Sequence, residues 1–257
     1  MEFPLQILMQ GLADYLLPMC RVTGMFLIMA GIGVRNIPIR IKTGLVVFIS
    51  LIIMPTLPPV ANPDLMSAAM ILEVLLQLII GFALGFISLM FITTFVVAGQ
   101  LLATQTGLGF ASMVDPASGV NVAAIGQFYL ILATLLFWLF DGHLIMIQML
   151  VFSFETLPIN GLWWDVSSYW TIIEFAGWMF ATALAIALAP IVSMLVVNLS
   201  FGIMTRAAPQ LNIFSIGFPI TMLSGLVILW LTLDTFVFHY DKQWQHVVDY
   251  SCRLIGC

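Results

Sequence analysis

Residues 74–114 read VLLQLIIGFALGFISLMFITTFVVAGQLLATQTGLGFASMV and contain no charged side chain. A helix crosses the hydrocarbon core of a bilayer with ~20 apolar residues, so this stretch is longer than one span needs. Further uncharged stretches cover residues 43–63, 116–140, 175–205 and 207–233. The pattern predicts an all-α fold, a multi-helix hydrophobic bundle of the membrane type with broken helices.

The composition excludes several classes of protein. Hydrophobic residues make up 62% of the 257 residues and charged residues 7%, which excludes an ordinary soluble domain. Seven Lys and Arg are too few for a nucleic-acid surface. No phosphate-binding glycine loop, metal-binding helix or nucleophile elbow occurs, so we expect no enzyme, no cofactor and no metal site. Among the three cysteines, only Cys252 and Cys257 lie close enough in sequence to suggest a bridge.

Six apolar segments are predicted, at residues 12–34, 44–61, 68–102, 122–154, 170–205 and 213–238. If all six cross a membrane, one side receives four basic residues and the other side two. The positive-inside rule then places the first set in the cytoplasm and both chain termini outside. Residues 239–257 are predicted to form a polar, amphipathic tail with Trp244 and Tyr250 at an interface. We expect one domain over residues 1–257, and residues 1–17 lack the features of a cleaved signal.

Polar side chains make the first segment a poor lipid-facing helix. Asp14, Pro18 and Arg21 share one helical face. A central arginine costs ~2.5–3.5 kcal/mol on the insertion scale, whereas each Leu, Ile, Val or Phe returns only ~0.3–0.6 kcal/mol. This helix therefore needs protein or water beside it.

Two ladders of small residues occur at helical spacing. One contains Gly81 and Gly85, and the other contains Gly177, Ala181 and Ala185. Small residues allow helix backbones to approach closely, so both ladders predict tight packing. The sequence leaves open whether the partner helix belongs to the same chain or to another subunit.

Two interruptions break the apolar pattern. Residues 105–122 contain three glycines and an Asp-Pro step, which indicate irregular backbone, together with apolar bulk at Phe110, Met113 and Val114. Such backbone is tolerated at membrane depth only inside protein or beside a water-filled cavity, which favours a plug. The alternative is an interfacial loop. Residues 206–219 contain two prolines and Gly217, and broken helices of this kind also occur in transporters.

Charged groups within the apolar segments define a rival interpretation. An ion- or proton-coupled small-solute carrier would use Arg21, Glu73, Asp141, His143 and Glu174, because ionisable residues at membrane depth are candidate functional sites. Asp141 and His143 suit either a proton relay or a hydrogen-bonded pair at a helix break. Two such residues are too few ligands for a metal site.

Five ordered pieces of sequence resemble one known family. They are residues 35–45 (RNIPIRIKTGL), 105–116 (QTGLGFASMVDP), 141–143 (DGH), 157–159 (LPI) and 208–219 (APQLNIFSIGFP). On these pieces the chain resembles the FliR family of flagellar biosynthesis proteins, whose virulence relatives sit in type III secretion export gates. The resemblance also implies that many family members carry Asn where this chain has Asp141, which weakens the relay interpretation.

The resemblance implies a function and a set of partners. FliR-like proteins assemble with FliP and FliQ, with FlhB associated, into a helical hetero-oligomeric gate in the bacterial inner membrane at the flagellar basal body. Unfolded flagellar proteins pass through this gate. Much of the assembled gate sits above the membrane plane rather than spanning it, and membrane lipid is a further expected partner.

The resemblance also implies two groups of site residues. A channel plug loop is formed by Gly107, Leu108, Gly109, Phe110, Ala111, Ser112, Met113, Val114, Asp115 and Pro116. Subunit packing or helix breaks involve Gly81, Gly85, Gly177, Ala181, Ala185, Arg206, Pro209, Gln210, Asn212, Gly217 and Pro219.

Overall fold

The computed structural model describes residues 2–33, 37–59, 67–110, 112–114, 121–159, 166–207 and 217–257. Over these ranges the chain forms seven α-helices: α1 (Glu2–Ile28), α2 (Ile39–Ile53), α3 (Ala68–Thr106), α4 (Ala124–Leu139), α5 (Gly142–Thr156), α6 (Val166–Ala207) and α7 (Phe218–Ile255). Short 3₁₀ helices follow α2 at Met54–Thr56 and α3 at Leu108–Phe110. Two three-residue strands, β1 (Ser112–Val114) and β2 (Asn121–Ala123), complete the described elements. The all-α prediction is confirmed, with this small ribbon as an addition.

The long helices have the length and composition of membrane spans. Five of the described helices are apolar enough to cross a bilayer, and the number rises to six if the bent pair α4 and α5 counts as one span. α3, α6 and α7 contain 39, 42 and 38 residues, well above the ~20 that one crossing requires. The prediction of a membrane-type helical protein with a broken helix is confirmed.

The segment predicted at residues 122–154 as one helix is two helices. α4 and α5 meet at an angle of 64°. Asp141 lies between them with φ 54°, a left-handed conformation that ends a right-handed helix. Hydropathy alone missed the break because apolar residues continue on both sides of it.

The predicted tail at residues 239–257 continues α7 without interruption. Trp244 is buried, with its ring 5.3 Å from that of Phe91, so its predicted interfacial position is wrong. The half-buried Tyr250 contacts Phe175 at 5.1 Å between ring centroids. The amphipathic pattern was read correctly as a helix, but its apolar face packs against protein.

The chain divides into two compact units. One comprises Met1–Leu89, Phe137–Phe175 and Val247–Cys257, and the other comprises Met90–Leu136 and Ala176–His246. In the first unit the largest buried side chain is Arg21. In the second, aromatic rings of α3 and α7 pack together, with centroids 4.9 Å apart for Phe95 and Phe236. A disulfide joins Cys252, in the last turn of α7, to Cys257 beyond the end of the helix. The prediction of one domain over residues 1–257 stays a prediction.

Candidate functional site

The predicted plug segment begins where α3 ends. Gly107 follows Thr106 with φ +75°, the left-handed conformation in which glycine commonly terminates a helix. The chain then forms the 3₁₀ helix Leu108–Phe110 and the antiparallel ribbon of β1 and β2. In this ribbon Ser112 pairs with Ala123 and Val114 with Asn121. An irregular segment therefore lies between the apolar helices α3 and α4.

The base of this segment contacts the start of α7. A Cβ atom placed on Gly107 would lie 3.0 Å from the ring of Phe218, so no other side chain fits there without displacing that ring. Two turns further along α7, Gly225 packs directly against the side chain of the buried Thr106. The structure thus brings together the two interruptions that the sequence analysis identified separately.

Several predicted plug residues fall outside this description. Ala111, Asp115 and Pro116 lie outside the described residues, and only backbone is described for Phe110 and residues 112–114. Leu108 is half-buried and Gly109 is exposed. The plug assignment therefore stays a prediction, supported by the backbone geometry of the segment.

The second interruption is described at its two ends. Arg206 lies exposed in the last turn of α6. Gly217 is buried where α7 begins, and Pro219 occupies the first turn of α7, where a missing backbone N–H costs little. Pro209, Gln210 and Asn212 lie outside the described residues.

Arg21 is the centre of a buried polar network in the first unit. Its Nε donates to Oε1 of Gln77 at 2.6 Å. Its Nη1 donates to the carbonyl of Ser153 at 2.6 Å and to the hydroxyl of Ser153 at 3.0 Å. Its Nη2 donates to the carbonyl of Leu157 at 2.8 Å. The side chain thereby joins α1 to α3 and to the carboxyl end of α5.

This network compensates the buried charge of Arg21. The last carbonyl groups of a helix carry partial negative charge, which favours a cation beside them. The carbonyl of Leu157 accepts from the guanidinium, and that of Ser153 accepts from the guanidinium and from the backbone N–H of Leu157. Gln77 also donates from Nε2 to Oε1 of Glu73 at 2.7 Å, which links a carboxylate to the network. The guanidinium carbon lies 4.1 Å from the ring centroid of Phe154. The expected protein neighbour of Arg21 is therefore supplied by the same chain.

The first ladder of small residues packs against α1. A Cβ on Gly81 would collide with the carbonyl oxygen of Arg21, and one on Gly85 would lie 2.6 Å from that of Met25. Gly24 on α1 meets the carbonyl of Leu78 in the same way. The partner helix of this ladder therefore belongs to the same chain and not to another subunit.

The second ladder lies on an open face of α6. Gly177, Ala181 and Ala185 are all exposed. A Cβ on Gly177 would meet no atom within 4 Å. The opposite side of α6 is closed, since Ala183 and Ala187 are completely buried. Within the described part of the chain, nothing packs closely against this ladder.

The Asp141-Gly142-His143 step forms the turn between α4 and α5. The carbonyl of Asp141 accepts from the backbone N–H groups of Leu144 and Ile145 at 2.9 and 3.1 Å. The Asp141 side chain is exposed and makes no cap hydrogen bond. The imidazole of His143 lies on the indole of Trp138, with centroids 4.4 Å apart. This arrangement favours the interpretation as a helix break.

The residues of the carrier interpretation are not brought to one site. Arg21 and Glu73 belong to the network at the carboxyl end of α5, whereas Asp141 and His143 lie at its amino end. At 1.5 Å per residue these ends are roughly 20 Å apart. Glu174 is exposed on α6. Among the described residues, no group of three His, Cys, Asp or Glu side chains is arranged to hold a metal ion.

Sequence reasoning missed the partners of Arg21 and of Gly107. Gly24 follows Arg21 by three residues, and this spacing could have placed a close approach beside the charge. No local sequence pattern indicates that the carbonyl of Leu157 contacts Arg21 or that the ring of Phe218 contacts Gly107, because both contacts arise only through tertiary packing.

Comparison with known proteins gives a consistent result. A profile of the family described as "Bacterial export proteins, family 1" matches residues 12–247. The chain is 37% identical over 215 residues to the flagellar biosynthetic protein FliR of Escherichia coli strain K12, covering 84% of this chain and 82% of that protein. It is 37% identical to the FliR protein of Pectobacterium carotovorum subsp. carotovorum over 86% of this chain and 84% of that one. The FliR protein of Bacillus subtilis strain 168 is 26% identical, with 84% of each chain covered.

Proposed function

Because the chain belongs to the FliR family, within the bacterial export proteins, family 1, we propose that it is a flagellar export component, a non-enzymatic subunit of the type III protein export gate. Its relatives are named flagellar biosynthetic proteins, and the similarity extends over more than four fifths of each chain. The proposed place of action is the inner membrane at the flagellar basal body. The proposed partners are FliP and FliQ in the gate and FlhB beside it.

The irregular segment between α3 and α4 carries the proposal of a plug. The 39-residue helix α3 and the shorter α4 frame an irregular segment that starts at Gly107 and contains the ribbon of β1 and β2. Irregular backbone at membrane depth is tolerated only inside protein or beside a water-filled cavity, and the proposal places this segment in such a passage. Apolar residues there, including Met113, seal a passage without specific hydrogen bonds, and methionine adapts to changing neighbours. A displaceable stopper for unfolded chains fits this chemistry.

The open face of α6 supports assembly with other subunits. The Gly177, Ala181 and Ala185 ladder is exposed, although small residues at this spacing are typical of close helix pairs. FliP and FliQ are the proposed occupants of this face. The carrier interpretation gains nothing from the structure, because its five residues are dispersed.

Removal of the plug tests the function. Replacing residues 112–120 by a Gly-Ser linker should raise the potassium conductance of the purified, reconstituted FliP–FliQ–FliR complex, because the apolar seal is lost. A linker of the same type at residues 160–165 is the matched control and should leave the conductance low.

Two results would contradict the plug. One is unchanged conductance in an intact complex that carries the 112–120 replacement. The other is equal conductance in both linker variants. Solute uptake by the isolated chain, reconstituted without FliP and FliQ, would favour the carrier instead.

A further inference from the structure

The carboxyl end of α7 carries a pair of cysteines that the proposed function leaves unused. Cys252 lies in the last turn of the helix, Cys257 lies beyond it, and a disulfide joins the two. The third cysteine of the chain, Cys20 on α1, is a free thiol. Oxidation is therefore selective for one pair.

A left-handed turn at Gly256 brings the two cysteines together. In a regular α-helix, Cα atoms five residues apart are separated by ~8.7 Å and their side chains diverge by about 140°. A disulfide needs Cα atoms roughly 4.4–6.8 Å apart. Gly256 has φ +81°, and the backbone N–H groups of Gly256 and Cys257 both donate to the carbonyl of Cys252, at 2.9 and 3.0 Å. This turn leaves the Cα atoms of the two cysteines 5.0 Å apart, within the range for a bond.

Packing holds this turn in place and leaves one sulfur accessible. Ser251, Leu254 and Ile255 are buried almost completely, so the last turn of α7 is fixed within the first unit. Cys252 is half-buried and Cys257 is exposed. A thiol at Cys257 can therefore meet a protein oxidant, and the thiol of Cys252 lies beside it to complete the bond.

The redox chemistry of this pair indicates a compartment. Disulfides persist in oxidising environments outside the bacterial cytoplasm and are rare inside it, where thiol reductants keep cysteines reduced. The disulfide thus favours an extracytoplasmic position for the carboxyl end of α7. The distribution of basic residues, which is unrelated to the cysteines, also predicts both chain termini outside the cytoplasm.

We propose that the turn at Gly256 makes Cys252 and Cys257 an oxidation site for an extracytoplasmic dithiol oxidase, so that the carboxyl end of α7 lies outside the cytoplasm. The thiolate of Cys257 attacks a reactive disulfide of the oxidase, and one oxidase sulfur leaves as a thiolate. The thiolate of Cys252 then attacks the Cys257 sulfur and releases the second oxidase sulfur. Two electrons and two protons pass from this pair to the oxidase, whose disulfide becomes a dithiol. The site does not depend on the plug or on the export partners.

Thiol trapping in growing cells tests the oxidation. Cells that produce the full chain with an amino-terminal tag are quenched with acid, and free thiols are alkylated in denaturant with maleimide-polyethylene glycol. Without reduction only Cys20 should be modified, and after reduction all three cysteines should be. Cys252→Ser should free Cys257 and add a second modified thiol to the unreduced sample. Loss of the extracytoplasmic dithiol oxidase should free both thiols. Three reactive thiols in the unreduced, unaltered chain would overturn the proposal.

A membrane-impermeant maleimide tests the side of the membrane. In a variant that combines Cys20→Ser with Cys252→Ser, Cys257 is the one remaining thiol of the chain. It should be labelled in intact spheroplasts, in which the thiols of cytoplasmic proteins stay unlabelled. Labelling of Cys257 that appears only after the membrane is permeabilised or dissolved would overturn the proposal.

Variants of Gly256 test the turn. Gly256→Val strains the left-handed conformation, so the ratio of oxidised to reduced chain in a glutathione redox buffer should fall about tenfold. Gly256→Asn is the matched control, because Asn also ends helices in this conformation, and it should keep the ratio of the unaltered chain. Equal ratios in the two variants would contradict the assigned role of the turn.

Discussion

The two ladders of small residues have the same spacing but opposite surroundings. Gly81 and Gly85 meet the backbone of α1, where an added Cβ would collide with carbonyl oxygens. Gly177 and its ladder face open space. Small residues at helical spacing therefore indicate a close helix approach without identifying the partner. The first ladder adjoins Arg21, whose charge is enclosed by side chains and carbonyls of the same chain, and the second adjoins no such group.

The largest effect is expected when the buried charge of Arg21, beside the first ladder, is removed. Arg21→Gln removes the guanidinium that joins three helices. The carbonyl of Leu157 loses its guanidinium donor, and the carbonyl of Ser153 keeps only the backbone N–H of Leu157. Breaking a buried charged network costs about 3–5 kcal/mol, so the chain should fail to accumulate in membranes. Arg21→Lys should rescue it only partly, since one ammonium group cannot span the same acceptors. Immunoblots of membrane fractions measure the outcome, with Arg40→Gln at an exposed position as control. Normal accumulation of Arg21→Gln would contradict the assigned role.

A smaller loss of stability is expected from widening the contact between α1 and α3. Gly81→Ala places a methyl group on the carbonyl of Arg21, and backbone must move to accept it. Overpacking of this kind typically costs ~1–3 kcal/mol. Gly44→Ala provides the control, because a Cβ at Gly44 meets nothing within 4 Å. The midpoint of heat-induced aggregation of the purified assembly should fall for Gly81→Ala alone, and equal midpoints would refute the close approach.

Substitutions in the second ladder should impair assembly with other subunits rather than folding of the chain. Gly177→Leu combined with Ala181→Leu adds bulk to an exposed face, and exposed substitutions usually change stability by less than ~0.5 kcal/mol. The chain should accumulate normally yet lose at least tenfold of the FliP and FliQ that co-purify with it. Ala183→Leu on the buried side of α6 should instead destabilise the chain itself. Full recovery of both partners with the double variant would show that this face meets lipid.

The smallest effect is expected at the amino end of α5, far from Arg21. Asp141 has φ 54°, and Asn adopts the left-handed conformation as readily as Asp. Asp141→Asn should therefore leave the export of flagellar proteins unchanged. Asp141→Val should lower stability by ~1–2 kcal/mol, because a β-branched residue is strained there. If the Asp141→Asn protein accumulates normally but export is lost, the charge of the Asp141 side chain is required for function.

The sequence predicted most of the helices but few of the contacts between them. Hydropathy located the regions of the long helices, and the cost of Arg21 correctly indicated a polar or protein neighbour. Hydropathy ran through the break at Asp141, because the break depends on a single backbone angle within an apolar stretch, although the Asp141-Gly-His143 step had suggested a helix break as one of two interpretations. The position of Trp244 was wrong because an amphipathic helix has the same pattern against protein as at a membrane surface. For the candidate plug, composition indicated irregular backbone, whereas its anchoring on Phe218 had no local signal.

The residues themselves indicate that this chain forms apolar helices, where glycine and proline interrupt them, and that Arg21 needs protein or water beside it. These properties are local, since they follow from the transfer free energy and backbone freedom of each residue. Only the tertiary structure decided that the carboxyl end of α5 receives Arg21, that Gly107 meets Phe218 and that one small-residue ladder stays open. Such choices depend on shape and hydrogen-bond geometry between segments far apart in the chain, and no local pattern of residues encodes them.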